Sequence, residues 1–152
     1  MKSLQEFYAP KGVCFGCGCV NKKGLRIQSY LDGESVICNW NPENHHEAFP
    51  GVLSGGIIGT LLDCHSNWAA AYFLMKRNND DTTPCTVTAD YSIKLLRPTP
   101  SDQSIHLSAL VTDICGKRAT VEAKLSAEGK ICATCFGTFV AVGSGHPAYH
   151  RW

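Results

Sequence analysis

One stretch of the chain, residues 54–77, carries apolar side chains at the three- and four-residue spacing that is typical of an α-helix. The apolar positions are Ile57, Ile58, Leu61, Leu62, Trp68, Ala69, Tyr72 and Phe73. The other side of this helix carries a stripe of small or polar residues: Gly56, Gly59, Thr60, Asp63, Ser66, Asn67 and Ala70. Ser54 is predicted to cap the first turn, because its hydroxyl can accept a backbone N–H. A helix with one narrow polar stripe is expected to be buried on most sides, with the stripe facing a cavity or a second subunit.

Alternation of period two dominates the remaining chain and predicts six strands. Two short strands, residues 25–31 and 35–40, precede the helix and are joined by a tight turn at Asp32-Gly33. Four longer strands follow it, and each presents one apolar face: Val87, Ala89, Tyr91, Ile93 and Leu95 in the first, Ile105, Leu107, Ala109 and Val111 in the second, Ala119, Val121, Ala123 and Leu125 in the third, and Ile131, Ala133, Cys135 and Phe139 in the fourth. The links between them are short enough for antiparallel neighbours. This order predicts an α+β domain in which an antiparallel sheet wraps around one long central helix.

The chain has the length of one domain, which we predict to span residues 1–152. Hydrophobic residues make up 44% of the sequence and charged residues 18%, a mixture that can bury a substantial core. No internal repeat, low-complexity segment or linker divides the sequence. Residues 1–24 are rich in glycine and cysteine and are predicted to be irregular.

The charge balance excludes some classes of partner. Lys and Arg number 14 and Asp and Glu number 13, which leaves a net charge of +1 and no basic stripe. Nucleic-acid binding is therefore not expected. No run of about 18 apolar residues is present, so a membrane partner is not expected either. Residues 1–11 lack the apolar core of a signal peptide, which predicts a cytoplasmic protein.

The chain has 9 cysteines, which is many for this length, and the number is odd. Without an export signal, reduced thiols are a better interpretation than a disulfide framework. Cys14, Cys17 and Cys19 form a C-x2-C-x-C cluster, but a structural zinc site needs four ligands and no second pair in the same loop completes the set. Cys64 and Cys85 are interpreted as small packing residues. We therefore predict no metal site and no bound cofactor.

Residues 49–63, with the sequence FPGVLSGGIIGTLLD, resemble the signature of PaaI-like hotdog acyl-CoA thioesterases. In that signature His-Gly-Gly begins a helix, and an acidic residue follows nine positions after the His. The present chain has Ser54 in place of the His, and Ala48 where some members of the family have an active-site Asn. Two further segments resemble the family: residues 14–18 (CFGCG) with residues 23–27 (KGLRI), and residues 88–98, which end in LLRP.

The resemblance implies a hotdog fold and hydrolysis of an acyl- or aryl-CoA thioester to the free acid and CoA. It also implies a homo-oligomer, a dimer or a dimer of dimers, with the active site at the dimer interface. CoA is then part of the substrate rather than a cofactor. Within the site, the N–H of Gly55 is implied to be the oxyanion donor, and Asp63 the general base or the nucleophile. Thr88 matches a hydroxyl position that in related enzymes helps to hold the water beside the acid.

Elementary chemistry supports the role given to the helix start. Backbone N–H groups at a helix N-terminus are unpaired and lie at the positive end of the helix dipole, which suits a developing oxyanion. Gly55 and Gly56 lack side chains that would keep a substrate away from this backbone. Ser54 and His46 are expected beside the substrate, His46 either in place of the missing His or as an ordinary residue of a surface turn.

Gly55 and Asp63 are eight residues apart, which is about 12 Å along one helix. One thioester carbon cannot contact both within a single chain. If both act on one substrate, they come from two subunits, and a two-fold dimer supplies two such sites. His65 points about 200° away from Asp63 around the helix and is not expected to assist it.

Three alternatives remain open on the sequence alone. A non-catalytic acyl-CoA-binding protein of this fold would account for the replaced His and Asn. A hotdog enoyl-CoA hydratase or dehydratase would need a His paired with an acid, and Ser54 occupies the position of that His. A metal-thiolate protein built on Cys14, Cys17 and Cys19 is the third.

Overall fold

The computed structural model describes residues 1–152, and its elements follow the predicted order with a few short additions. The helices are α1 (Leu4–Tyr8) and α2 (Gly55–Asn78). The strands are β1 (Tyr30–Asp32), β2 (Ser35–Trp40), β3 (Glu47–Phe49), β4 (Val52–Leu53), β5 (Thr86–Leu95), β6 (Ile105–Cys115), β7 (Arg118–Ala127) and β8 (Lys130–Ala141). A single 3-10 turn, Asn44–His46, precedes β3.

Six of the strands form one antiparallel sheet in the spatial order β1-β2-β6-β7-β8-β5, while β3 and β4 form a separate ribbon. Helix α2 packs across one face of this sheet and contacts β2, β5, β6, β7 and β8. The predicted α+β architecture, an antiparallel sheet around one long helix, is therefore confirmed. None of the helices combines the length and the apolar character that crossing a membrane requires.

The core lies between α2 and the sheet. The predicted apolar faces of β6 and β7 are buried there, at Ile105, Leu107, Ala109, Ala119, Val121, Ala123 and Leu125. On the helix side, Leu61, Leu62, Trp68 and Leu74 are at most 1% exposed. A fully buried leucine contributes roughly 2 kcal/mol of transfer free energy. This packing fixes the rotation of α2, and with it the residues that the polar stripe presents outward.

The apolar face predicted for β5 is wrong in its first half. Thr88 pairs with Phe139 of β8, and Asp90 pairs with the adjacent Thr138. Ala89, which lies between them, has no partner and is the extra residue of a β-bulge. The bulge reverses the alternation of the strand. Thr88 and Tyr91 consequently approach α2, whereas Val87 lies on the opposite face.

The strand predicted for residues 25–31 is shortened to its last residues. Arg26 adopts a left-handed conformation with φ 52°, which interrupts the extended backbone. Leu25 and Ile27 are buried all the same, and their N–H groups donate to carbonyls of the N-terminal segment. The hairpin turn between β1 and β2 lies one residue later than predicted, at Gly33-Glu34.

Residues 1–24 contain one short helix, α1, which was not predicted. It begins at Ser3, whose hydroxyl accepts the N–H of Glu6 at 3.2 Å, while the Glu6 carboxylate accepts the Ser3 N–H at 2.8 Å. This reciprocal capping box stabilises a helix of only five residues.

Candidate active site

The first residues of α2 are held by backbone hydrogen bonds on both sides of Ser54. The Ser54 N–H donates to the His46 carbonyl at 2.9 Å, and the Ser54 carbonyl accepts the N–H of Ile58 at 3.0 Å. The predicted cap is wrong in one detail, because the Ser54 hydroxyl accepts no hydrogen bond from the helix. Gly55 and Gly56 are exposed, and their N–H groups have no partner within the chain. The helix start therefore presents free donors at the positive end of its dipole.

Asp63 is the only carboxylate of α2 and lies half-buried about two turns after the helix start. The Thr88 hydroxyl donates a hydrogen bond to Asp63 Oδ1 at 2.6 Å. Burial raises the pKa of the Asp63 carboxyl, and the hydrogen bond from Thr88 opposes this rise. No group of the chain donates to the other oxygen, Oδ2, which is left to accept a proton.

Between the helix start and Asp63, the polar stripe passes Gly59, and β5 forms the facing wall. A Cβ placed on Gly59 would lie 3.9 Å from the Tyr91 hydroxyl and 3.7 Å from Ile93 Cδ1. Tyr91 is 45% exposed, so this wall is open in the single chain. The absence of a side chain at Gly59 lets α2 and β5 lie close together between the free N–H groups and the carboxylate.

Only the first half of the polar stripe faces outward. Ser66, Asn67 and Ala70, in its second half, are all buried. The Thr86 hydroxyl donates a hydrogen bond to the Asn67 side chain and so joins α2 to the start of β5. The expectation that the whole stripe faces a cavity or a subunit is therefore wrong beyond Asp63, because β5 covers it there.

Comparison with known proteins identifies the family. No protein-family model matches the sequence, and no curated protein matches it either. Among solved structures, a thioesterase superfamily protein from Shewanella loihica PV-4 is 30% identical to the chain, with a TM-score of 0.65 over 77% of this chain and 91% of that one. The chain belongs to the thioesterase superfamily.

Two further structures share the fold of this thioesterase-superfamily chain at lower identity. The E. coli PaaI protein from the phenylacetic acid degradation operon is 16% identical with a TM-score of 0.66, over 78% of this chain and 81% of that one. Zebra fish Thioesterase Superfamily Member 2 is 21% identical with a TM-score of 0.65, over 81% of this chain and 89% of that one. These likenesses confirm the PaaI-like hotdog fold that the helix signature predicts.

The two histidines nearest the site in this thioesterase-superfamily chain are held by structural contacts. His46 is 7% exposed, packs on Trp40 with ring centroids 5.0 Å apart, and accepts a backbone N–H on Nδ1 at 2.9 Å. Its carbonyl holds Ser54, so His46 positions the helix start through its backbone. His65 is buried on another side of α2, turned away from the carboxylate as predicted.

A cluster of three thiols beside the site was not predicted. Cys14 and Cys17 of the N-terminal segment meet Cys64 of α2, and the three sulfur atoms all lie within 4.8 Å of one another. Cys19, the third member of the C-x2-C-x-C cluster, lies outside this group. The interpretation of Cys64 as a mere packing residue missed the contact, since about 50 residues separate it from Cys14. The one available signal was that Cys64 directly follows the acid of the helix signature.

Proposed function

We propose that the protein hydrolyses an acyl- or aryl-CoA thioester to the free acid and CoA, at a site built by two copies of the chain. The observation that carries the proposal is the half-buried Asp63 carboxylate, bonded by the Thr88 hydroxyl on a helix whose start offers free N–H donors. Thioester hydrolysis needs these two groups, a proton acceptor for water and donors for the oxyanion. Membership of the thioesterase superfamily supports the reaction class.

In the proposed reaction, the Gly55 N–H donates to the thioester carbonyl oxygen, while Gly56 and Ser54 lie beside the acyl group. Water attacks the carbonyl carbon and gives its proton to Asp63 through the carboxylate oxygen that Thr88 does not bond. The tetrahedral oxyanion then collapses, and the C–S bond breaks with its electron pair on sulfur. The CoA thiolate takes up the proton from Asp63, so that one water and one thioester give one acid and one thiol.

The active unit that we propose is a homodimer, because α2 separates Gly55 from Asp63 by about 12 Å. Strand β5 supports this assembly, since it is a ten-residue strand at the edge of the sheet. Its side chains Tyr91 and Leu95 are 45% and 60% exposed. A long edge strand with exposed apolar side chains is a surface for pairing with another chain.

A cytoplasmic location accompanies the proposal, because nine free cysteines suit a reducing compartment.

The deciding experiment compares wild type and Asp63→Asn on a panel of acyl- and aryl-CoA esters. Free CoA is measured by chromatography, because the 9 protein cysteines would react with a thiol dye. We expect turnover by wild type and a loss of about 100-fold or more in Asp63→Asn. Asp113→Asn, which removes an exposed acid of β6, is the matched control and should keep full activity. Full turnover by Asp63→Asn would refute the proposal.

The free Oδ2 oxygen suits Asp63 both as a general base, the role proposed above, and as a nucleophile. A single turnover in heavy-oxygen water, with enzyme in excess over substrate, separates the two roles. A general base places the heavy oxygen in the product acid at once. A nucleophile forms a mixed anhydride, and water that opens it at the Asp63 carboxyl carbon puts the heavy oxygen into Asp63, while the first product acid carries light oxygen from the protein.

A non-catalytic acyl-CoA binder is the second candidate, and Ser54 is the observation that favours it. Its hydroxyl lies at the helix start, makes no cap bond, and replaces the His of the family signature. Tight binding of CoA esters by folded wild-type protein without turnover would establish this function instead. The hydratase alternative has no support in the geometry, because both nearby histidines are engaged in structural contacts and neither is paired with Asp63.

A further inference from the structure

We propose that Cys14, Cys17 and Cys64 form a binding site for a thiophilic divalent cation of the Zn²⁺ class, with three thiolate ligands and a fourth coordination position open to a cavity. The ligands come from two distant parts of the chain, the N-terminal segment and α2. Their sulfur atoms lie within 4.8 Å of one another. The site is independent of the proposed thioesterase reaction and does not rest on it.

The sulfur positions match those of a zinc site. Cys14 Sγ and Cys64 Sγ are 3.8 Å apart. Around a tetrahedral zinc ion with Zn–S bonds of about 2.3 Å, neighbouring sulfur atoms are also about 3.8 Å apart. A disulfide bond would bring the two atoms to about 2.05 Å. The spacing excludes a bonded pair and fits two ligands on one ion, as it also fits a thiol–thiol hydrogen bond before an ion binds.

Two glycines of the CFGCG segment allow this approach. A Cβ on Gly16 would overlap the Cys64 sulfur, and a Cβ on Gly18 would overlap the backbone of Cys14. The Gly18 N–H donates to the Cys14 carbonyl at 2.8 Å and closes the turn that carries Cys14 and Cys17. The turn is thus shaped so that both of its sulfur atoms reach the helix.

One hydrogen bond reaches the cluster from outside it. The Trp68 indole N–H donates to Cys17 Sγ at 3.3 Å, the kind of outer hydrogen bond that orients a metal-bound thiolate.

The cluster opens onto a cavity, which gives an ion a path of entry and leaves a fourth coordination position accessible. A cavity of about 540 Å³ is lined by Cys14 and Cys17, while Cys64 lies behind them in the core. Lys11 and Arg151 also line this cavity. Three thiolates and one divalent cation carry a net charge of −1, and the two cations place positive charge beside it.

The test measures zinc in the purified full-length protein by elemental analysis and by native mass spectrometry. We expect about one zinc per chain in wild type, and zinc binding should release protons from the thiols. Cys14→Ser and Cys64→Ser should each lower the zinc affinity by about 100-fold or more. Cys19→Ser is the matched control, because it removes a thiol of the same segment that lies outside the cluster.

A second measurement needs no variant and so does not depend on how the variants fold. Cobalt(II) added to metal-free wild type should produce the strong thiolate-to-cobalt absorption of a tetrahedral site, and zinc should displace it. The proposal is overturned if wild type binds neither ion, or if a Cys14–Cys64 disulfide is found in its place. It is equally overturned if Cys64→Ser keeps its zinc while His45→Ala loses it, which would move the ion to the Glu43, His45 and His46 group.

Discussion

At the scale of single residues, the candidate site depends on a hydroxyl and a carboxylate that meet from two different elements. Thr88 reaches Asp63 because the bulge at Ala89 sets the face of β5 on which Thr88 lies. A hydrogen bond to a charged group is worth about 1.5–3 kcal/mol and also fixes the orientation of the carboxylate. Thr88 is in this sense a positioning residue for the proposed general base.

Thr88→Val should therefore lower kcat by about tenfold, since the carboxylate loses the bond that orients it. KM should change little, because Thr88 is not proposed to bind the acyl group. Thr88→Ser is the control, since it keeps the hydroxyl and should restore most of the rate. Equal losses in both variants would show that the methyl packing of Thr88, rather than its hydroxyl, matters.

Gly55→Pro isolates the proposed oxyanion donor. Proline removes the N–H of Gly55, yet the first helical position accepts proline well, and Ser54 already has the extended backbone (φ −61°, ψ 135°) that precedes it. We expect kcat to fall by about 100-fold with little change in thermal stability. Gly55→Ala keeps the N–H, and its Cβ would meet Leu95 at an ordinary 3.6 Å, so it should stay active.

At this scale, the sequence predicts the residues that belong to the helix signature and misses a contact that the fold alone creates. Asp63, Gly55 and Thr88 are predicted for the site because each has a fixed place in a resembling segment. The meeting of Cys64 with the N-terminal segment could not, since no local pattern relates positions about 50 residues apart. Ser54 was predicted as a cap from residue type, and its hydroxyl makes no such bond.

At the scale of elements, α2 is joined to β2 by a buried histidine. His65 Nε2 bonds the Val36 carbonyl at 2.9 Å, and Nδ1 bonds the Ser29 hydroxyl at 2.9 Å. Burial lowers the pKa of His65 to about 4. In the unfolded chain the pKa of a histidine is about 6.5, so the unfolded chain takes up the proton first as the pH falls. The stabilisation is complete above about pH 6.5 and is lost between that value and about pH 4.

Lowering the pH from about 7 to about 5 should therefore cost about 2 kcal/mol of unfolding free energy through His65 alone. Urea unfolding at the two pH values measures this loss. His45→Gln, which removes a histidine whose side chain is 69% exposed, should show the wild-type loss. His65→Gln should be less stable at neutral pH but should lose much less on acidification. A pH dependence that is unchanged in His65→Gln would contradict the assignment.

The sequence pattern predicts the buried face of an element correctly where its periodicity is regular, and fails where a single residue departs from that periodicity. Strands β6 and β7 alternate regularly over most of their length, and the faces predicted for them are buried from Ile105 to Ala109 and from Ala119 to Leu125. The prediction failed where one residue breaks the pattern, at the Ala89 bulge and at Arg26. Neither residue type signals such a conformation, because contacts with distant segments accompany it: strand β8 lies opposite Ala89, and backbone carbonyls of the N-terminal segment bond the residues on either side of Arg26.

At the scale of the whole molecule, the proposed site is complete only in a dimer. Each active site would combine the helix start of one protomer with the carboxylate of its partner. The exposed edge of β5 supplies a surface on which two sheets can meet. Helix geometry and strand exposure together support the proposed dimer, and neither feature alone would require it.

Mixing two inactive variants tests this arrangement. In a heterodimer of Asp63→Asn and Gly55→Pro, one site combines both intact residues and the other combines both defects. Random assembly should therefore recover about a quarter of the wild-type activity, because half of the dimers are mixed and each has one working site. No recovery on co-expression, with mixed dimers verified by mass, would place both groups of a site in one chain.

Three consecutive residues of α2 connect it to three different parts of the protein. Asp63 meets β5, Cys64 meets the N-terminal segment, and His65 meets β2, because successive side chains point about 100° apart around a helix. The number of helical residues before Asp63 is therefore constrained as strictly as the identities of Asp63, Cys64 and His65. One residue inserted between Gly55 and Asp63 would turn the rest of α2 by about 100° and misalign all three links at once. Variation in this protein can therefore proceed by substitution in the first two turns of α2, but not by insertion or deletion.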